Sequence, residues 1–449
     1  MTNGLNPIMA EATQAIVAPE KFSTRFVVQS ARSLPVAVNA KPTKRMVTPA
    51  DPTISLMSTI NLLVARPVKR EYKLPLSKQY PDFPFKGSYM GLISPDVASR
   101  LKPDFIAVVA RIYREMCNLR PGQTVLIISD ARTPDYVVAT FQGQAQALGA
   151  SAIRIECAVP IGGATYQPGS KWPEMLVAAS KYADLIIDMA VGYAQFIVEA
   201  VQRGCRVLCP GDGIGGAFMD DVLIRTVLHT DVHAIRRRAD RIADRFSRAS
   251  HCLMITGDAH DRFELDLSGL DAMAGDGFLW DPDTQDWKTN WAFLPPAQPG
   301  VLVPKGRGSG VVNVDGTLLY HPTYHEKPDS PLRLAFRDGR LIDIGGDRVL
   351  AANLSNWLDA LGDDGARNGP VHLNIGINPN ASLTQSQEWE RVFGSITCGM
   401  GDLSMLGILM GDQAPMLNQS SVHWDWTVLQ PKIVLDGETI LEAGRLLIE

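Results

Sequence analysis

A histidine and an aspartate two residues apart, His423 and Asp425, form a pair that could hold a metal ion. They lie in Ser421–Leu429, a segment with the composition of a β-strand. Side chains two residues apart on a strand point to the same face, so both groups can reach one divalent cation while Trp424 and Trp426 face the other side. A buried His–Asp hydrogen bond is the structural alternative, and the pattern alone is compatible with both.

His372 begins a second candidate. It lies in Val371–Pro379, a strand-like run that ends in a Gly/Asn/Pro turn, where fixed ligands are commonly found. Two histidines and one carboxylate leave open positions on an octahedral ion, the arrangement used by non-haem Fe(II) oxygenases. A histidine on an apolar strand is more often a core residue, so spacing alone favours the structural alternative for His372.

Other motifs give weaker indications of chemistry. His321–His325 contains a proline, which is typical of a loop, and no nearby cysteine or acid completes a zinc site. His229 and His233 straddle a predicted helix start capped by Asp231, so they need not share a face. Gly211–Gly216 fits GxGxxG but follows a late strand and lacks the acid expected about 20 residues later. We interpret it as a turn rather than a dinucleotide site.

The elements that must position these residues change character along the chain. Residues 1–85 are rich in Pro and Lys/Arg, and we predict an N-terminal arm with one short helix, Thr53–Val64. In residues 86–250 short apolar runs alternate with helical patterns, which predicts a doubly wound parallel sheet. The predicted strands are Gln123–Ser129, Ala152–Glu156, Asp184–Met189 and Cys205–Cys209; the predicted helices are Asp96–Asn118, Asp135–Leu148, Trp172–Lys181, Ala194–Arg203 and Asp231–Arg248, the last with a basic solvent face (Arg236, Arg237, Arg238, Arg241, Arg245).

Residues 251–449 contain short strand-like runs separated by turn signals, including Asp-Gly at 276–277, 315–316 and 338–339. One amphipathic helix, Arg348–Leu361, interrupts them. The predicted fold class is therefore α/β, with an N-terminal doubly wound parallel-sheet domain followed by an α+β metal-binding domain.

Composition excludes several classes of function. The chain has 449 residues, is 45% hydrophobic and carries a net charge of −5. Nucleic acid is not an expected partner of such a chain, and its apolar runs are too short to span a membrane. The six cysteines are scattered without a CxxC pair, and no signal peptide is evident, so we expect buried thiols and a cytoplasmic location.

An ordered series of segments resembles the thermophilic aminopeptidase superfamily over about residues 100–440. The matching segments are Leu119–Asp130, Ala147–Ile155, Ile255–Gly257, Leu294–Pro295, Ser309–Gly316, Asp338–Ile344, Asn374–Ala381 and Gly394–Ile396. One branch, the aminopeptidases, holds two zinc ions with two Glu, a His, a Tyr and a closing His-x-Asp. The other branch is 2,5-dihydroxypyridine 5,6-dioxygenase, which holds one iron with two His and one Asp.

The ligand positions distinguish these branches. His423 and Asp425 match the shared His-x-Asp, and His372 stands where an aminopeptidase has a glutamate before Leu-Gly-Ile-Gly. Leu294–Gly300 contains no acid where the other glutamate belongs, and Thr397 replaces the histidine of Gly-Thr-Val-His. The set that remains is similar to that of the dioxygenase.

The resemblance therefore implies a ring-cleaving dioxygenase that holds ferrous iron, Fe(2+), through His372, His423 and Asp425. It implies a small hydroxylated aromatic substrate and O2 as partners, and we expect a homo-oligomer. His321, His325 and Asp402 are candidates for the base that deprotonates the substrate. A metallo-aminopeptidase with a degenerate zinc site is the alternative; a nucleotide-binding protein that uses Gly211–Gly216 is a third hypothesis.

Overall fold

The computed structural model describes residues 102–160, 163–214, 216, 218–320, 324–384, 388–409 and 416–448. All of them belong to one compact unit, Phe83–Glu449. The predicted N-terminal arm, residues 1–85, with its helix Thr53–Val64, lies outside the described residues. None of the helices in the described ranges has the length and apolar composition that crossing a bilayer requires.

A parallel sheet forms from strands that alternate with helices, as the sequence predicts. Its strands are β1 Thr124–Ser129, β2 Ser151–Glu156, β3 Leu185–Asp188, β4 Arg206–Pro210 and β10 Trp291–Leu294, in the order β10-β4-β3-β1-β2. The strands β1, β3 and β4 carry buried, mostly apolar residues on both faces, because helices pack on each side of the sheet. The fifth strand, β10, comes from beyond residue 250, so the sheet draws on both predicted segments. The division into domains 86–250 and 251–449 stays a prediction.

Two antiparallel sheets follow. The seven-stranded sheet has the order β14-β13-β19-β18-β17-β11-β7, and the eight-stranded sheet has the order β16-β15-β12-β6-β5-β20-β21-β22. Their strands, together with the hairpin β8–β9, are β5 His251–Thr256, β6 Asp261–Asp266, β7 Ala272–Met273, β8 Trp280–Asp281, β9 Asp286–Trp287, β11 Gly300–Leu302, β12 Gly308–Val314, β13 Leu318–Tyr320, β14 Tyr324–Glu326, β15 Leu332–Arg337, β16 Arg340–Gly346, β17 His372–Ile375, β18 Ile396–Gly401, β19 His423–Val428, β20 Lys432–Leu435, β21 Glu438–Glu442 and β22 Arg445–Leu446.

The helices cover these sheets. They are α1 Pro103–Arg111, α2 Asp135–Ala147, α3 Gly163–Tyr166, α4 Glu174–Ser180, α5 Gln195–Gln202, α6 Met219–Leu223, α7 Val232–Arg248 and α8 Arg348–Leu361. α1 and α6 continue into the π-helical turns Ile112–Met116 and Ile224–Leu228; 3₁₀ turns occur at Gly211–Gly213, Asp364–Arg367, Trp389–Arg391 and Ser404–Leu409.

Helix α8 has the predicted bounds because its ends are marked locally. The Asp347 side chain accepts hydrogen bonds from two N–H groups of the first turn, and Gly362 ends the helix in the left-handed conformation. In α7, by contrast, the predicted exposure of Arg236 is wrong. Its guanidinium is buried and paired with Asp281 and Asp283, which a helical periodicity cannot foresee.

One core fills the space between the two antiparallel sheets, and its largest members include Trp424, Trp426 and Phe263. Trp424 and Trp426 therefore point into this core, as the alternation along β19 predicts. His423 and Asp425 lie on the opposite face of β19, where they can form a binding site.

Candidate metal centre

Three neighbouring strands of the seven-stranded sheet bring the candidate ligands together. Across β17, β18 and β19, His372 pairs with Gly399, and Gly399 pairs with Asp425. His423 precedes Asp425 by two residues on β19 and shares its face. The ligating atoms of His372, His423 and Asp425 all lie within 4.8 Å of one another, and all three residues are buried.

Gly399 makes this convergence possible. A Cβ atom at this position would lie 2.2 Å from Nε2 of His372 and 2.7 Å from Cε1 of His423. No other residue type leaves room for both imidazoles above the middle strand. Sequence analysis missed Gly399, although a glycine inside a strand is a recognised signal of a close approach.

Both imidazoles direct their Nε2 atoms toward Asp425. The Nδ1–H of His423 donates to the Asp402 carbonyl over 2.8 Å, which directs its Nε2 at Asp425 Oδ1, 3.1 Å away. Nε2 of His372 lies 3.0 Å from the same oxygen. Two imidazole nitrogens and one carboxylate oxygen thus meet at one buried point, which fits a divalent cation.

Electrostatics keep Asp425 ionised at this point. Burial raises the pKa of the Asp425 carboxyl, but the neighbouring imidazoles of His423 and His372 outweigh it, and the net pKa is well below the usual range. Burial lowers the pKa of His423, and the charge of Asp425 more than reverses this effect. The site therefore offers a fixed negative charge, which complements a cation.

Tyr166 adds a contact that sequence analysis missed. It ends α3, and its hydroxyl donates to Asp425 Oδ2 over 3.0 Å. Burial raises the pKa of Tyr166 well above its ordinary value, so the hydroxyl keeps its proton and stays a donor. The two residues are 259 positions apart in the chain, and no local pattern connects them.

A cavity of about 430 Å³ opens next to the three residues. Its polar wall includes Tyr193, Asp212, Asn374 and Glu390, and apolar side chains line much of the remainder. This volume accommodates a small aromatic ring, and the mixed lining can both shield and orient it.

The three residues proposed as the base that deprotonates the substrate differ in how much of them the structure describes. Asp402 is buried; its carboxylate accepts hydrogen bonds from the backbone and hydroxyl of Ser404 and from the Ser420 N–H. His321 lies outside the described residues. His325 belongs to β14 rather than to the predicted loop, and only its backbone is described. A role for any of them as base stays a prediction.

The competing motifs have structural partners. Asp212 of the Gly211–Gly216 turn binds Arg391 through both carboxylate oxygens, so this turn holds a buried ion pair. In the His229/His233 motif, Nε2 of His233 lies 3.1 Å from Oε2 of Glu115. Thr397 pairs with the Thr427 hydroxyl at 3.0 Å, where an aminopeptidase would have a histidine.

Comparisons with known proteins agree with this architecture. Residues 105–448 match the family model described as 2,5-dihydroxypyridine 5,6-dioxygenase. A search of curated proteins gave no match. The solved structure of 2,5-dihydroxypyridine dioxygenase from Pseudomonas putida superposes with a TM-score of 0.63 at 17% identity, covering 77% of this chain and 97% of that one.

AmpT from Thermus thermophilus superposes with a TM-score of 0.51 at 15% identity, covering 77% of this chain and 99% of that one. Both superpositions show a common fold, and the predicted fold class is confirmed. Since the family model spans most of the sequence, the chain belongs to the 2,5-dihydroxypyridine 5,6-dioxygenase family.

Proposed function

We propose that this protein is an Fe(II)-dependent dioxygenase that cleaves a hydroxylated N-heteroaromatic ring such as 2,5-dihydroxypyridine. The observation that carries the proposal is the convergence of His372, His423 and Asp425 at one buried point beside a ring-sized cavity. Two nitrogens and one carboxylate on one face of a metal leave positions for substrate and O2.

Bound ferrous iron would supply a common binding point and a route for electrons between ring and oxygen. The protein's own residues position the reactants. The Asp402 carbonyl fixes the His423 ring, and the Tyr166 hydroxyl fixes the Asp425 carboxylate. The cavity beside the ligands would hold the ring close to them, which favours reaction by proximity.

An oxygen electrode provides the direct test. Purified protein loaded with Fe(II) is mixed with a panel of hydroxypyridines and dihydroxybenzoates, without NADH or 2-oxoglutarate. We expect one O2 consumed per ring opened, with both atoms of labelled O2 in the freshly formed product. Incorporation of one atom together with an absolute requirement for an added reductant would disprove ring cleavage by this route.

A further inference from the structure

Glu390 lies in the cavity beside the proposed ligands without belonging to them. It is part of the 3₁₀ turn Trp389–Arg391, and its side chain is 13% exposed. Its Oε2 accepts hydrogen bonds from Asn374 Nδ2 over 2.8 Å and from Gln298 Nε2 over 3.3 Å. Asn374 follows His372 by two residues on β17, so the two side chains share a face of the sheet.

Arg391 lies beside Glu390 but is bonded more closely to other groups. Arg391 Nη1 lies 3.7 Å from Glu390 Oε1, but the guanidinium forms two shorter bonds to Asp212 and a third to the Pro295 carbonyl. Burial and the charges of Asp212 and Asp425 raise the pKa of Glu390, although Arg391 and His372 oppose them. The titratable groups that interact electrostatically with Glu390 include Arg391, Asp212, Asp425, His372, His423, Tyr166, Tyr193 and Cys398.

Charge balance indicates what this carboxylate can do. Three carboxylates meet here, those of Asp212, Glu390 and Asp425, and the Arg391 guanidinium together with a bound divalent cation would balance three negative charges. An ionised ring hydroxyl would add an unbalanced negative charge to a buried site, which is costly at low dielectric. Transfer of the hydroxyl proton to Glu390 leaves the net charge unchanged.

We propose that Glu390 is the group that accepts the ring hydroxyl proton when substrate binds, an inference that rests on the proposed function. The O–H bond of the substrate breaks and an O–H bond forms on Glu390, with no change in oxidation state. The other polar groups of this wall are less suited: Asp212 is engaged by Arg391, and Tyr166 keeps its own proton. Asn374 and Gln298 hold the carboxylate in place.

The test follows ionisation of the ring rather than turnover. Iron-loaded protein is mixed with 2,5-dihydroxypyridine without oxygen, while ultraviolet absorption reports ring ionisation and an indicator dye reports protons released. We expect the wild-type protein to bind the ionised ring with no net proton release. In Glu390→Gln, the ring should stay neutral or release about one proton per chain, because no carboxylate retains it.

Two variants complete the design. Glu390→Asp keeps a carboxylate, so we expect it to release less than one proton per chain when substrate binds. If Glu390→Gln does not fold, proton release by Glu390→Asp is compared with that of the wild type instead. Glu388→Gln is a matched control, because Glu388 is also buried but binds Arg225 and Ser382 and does not line the cavity. Identical absorption and proton balance in wild type and Glu390→Gln would overturn the role of Glu390 as proton acceptor and leave the proposed function intact. If 2,5-dihydroxypyridine did not bind to the iron-loaded wild type, the proposed function would be overturned as well.

Discussion

Asp425 uses both carboxylate oxygens at the proposed centre. Oδ1 faces the two imidazoles, and Oδ2 accepts a hydrogen bond from the Tyr166 hydroxyl. At the residue scale, we therefore expect metal binding to depend on His372, His423 and Asp425 more than on the residues around them. Among the described residues no other cluster of three or more ligating side chains meets the same geometric condition.

Replacing any one ligand should remove the metal. His372→Ala, His423→Ala and Asp425→Ala are each expected to lose stoichiometric iron and ring cleavage while remaining folded, because two donors hold a divalent ion poorly. Metal analysis and circular dichroism measure these outcomes. His233→Ala is the control, since His233 binds Glu115 instead. Normal iron content in His372→Ala would refute the assignment of His372.

Tyr166→Phe should weaken the site without abolishing it. The variant removes the donor to Asp425 Oδ2, and loss of a hydrogen bond to a ligand typically costs about 10–100-fold in metal affinity or activity. A competitive chelator titration measures the change. Tyr113→Phe is the matched control, because its hydroxyl is buried and has no hydrogen-bond partner among the described residues. Equal affinities in the two variants would argue against a role for the Tyr166 contact.

At the scale of elements, the middle strand β18 controls the centre. Gly399→Ala would insert a Cβ into the space taken by the imidazoles, so we expect loss of metal binding with the sheet retained. Gly345→Ala on β16 is the control, because no atom of the described part of the chain lies within 4 Å of its added Cβ. Iron content and the free energy of unfolding should be compared in both variants. Undiminished iron binding in Gly399→Ala would contradict the steric argument.

The end of β3 should make stability depend on pH. Asp188 accepts hydrogen bonds from the N–H groups of Ala190, Val191 and Gly192, and burial raises its pKa to about 6 despite them. Between the unfolded pKa of about 3.9 and this value, the folded state keeps a proton that the unfolded state loses. The free energy of unfolding should therefore fall as pH rises through this window and level off above it.

Asp188→Asn removes this titration. Urea unfolding at several pH values from about 4 to 7 should show a smaller decrease with pH in the variant than in the wild type. Parallel pH profiles for the two proteins would show that Asp188 does not titrate in this range. The same segment supports α3, because the Val191 carbonyl accepts from the Ala164 N–H at 2.6 Å, so the variant should also perturb Tyr166.

For the whole molecule, the ligand set predicts a single metal ion per chain. Thr397 and Leu294–Gly300 supply no acid or imidazole for a second ion. Iron titration should saturate at one equivalent, and added zinc or cobalt should produce no release of amino acids from short peptides. Chelator-sensitive peptide hydrolysis by pure protein would favour the alternative of a metallo-aminopeptidase. Cytoplasmic location and homo-oligomeric assembly stay predictions.

Local patterns determined much of the fold from sequence alone. Apolar runs between helical periodicities predicted β1 to β4, and an amphipathic pattern predicted the helix Arg348–Leu361 with its bounds, because these signals act over a few neighbouring residues. The face shared by His423 and Asp425 follows from the two-residue repeat of a strand. The place of His372 beside them came from resemblance, since spacing alone favoured a structural role.

Tertiary structure decided what depends on residues far apart in the chain. Strand register aligns His372, Gly399 and Asp425, and the parallel-sheet half supplies Tyr166. Glu390 acquires its surroundings through Asn374 and Gln298, which belong to other segments. A local sequence pattern does not determine which distant strands become neighbours, because that pairing is selected by packing of the whole core. The ligand types were therefore readable in the sequence, whereas their convergence and the carboxylate beside them were set by the fold.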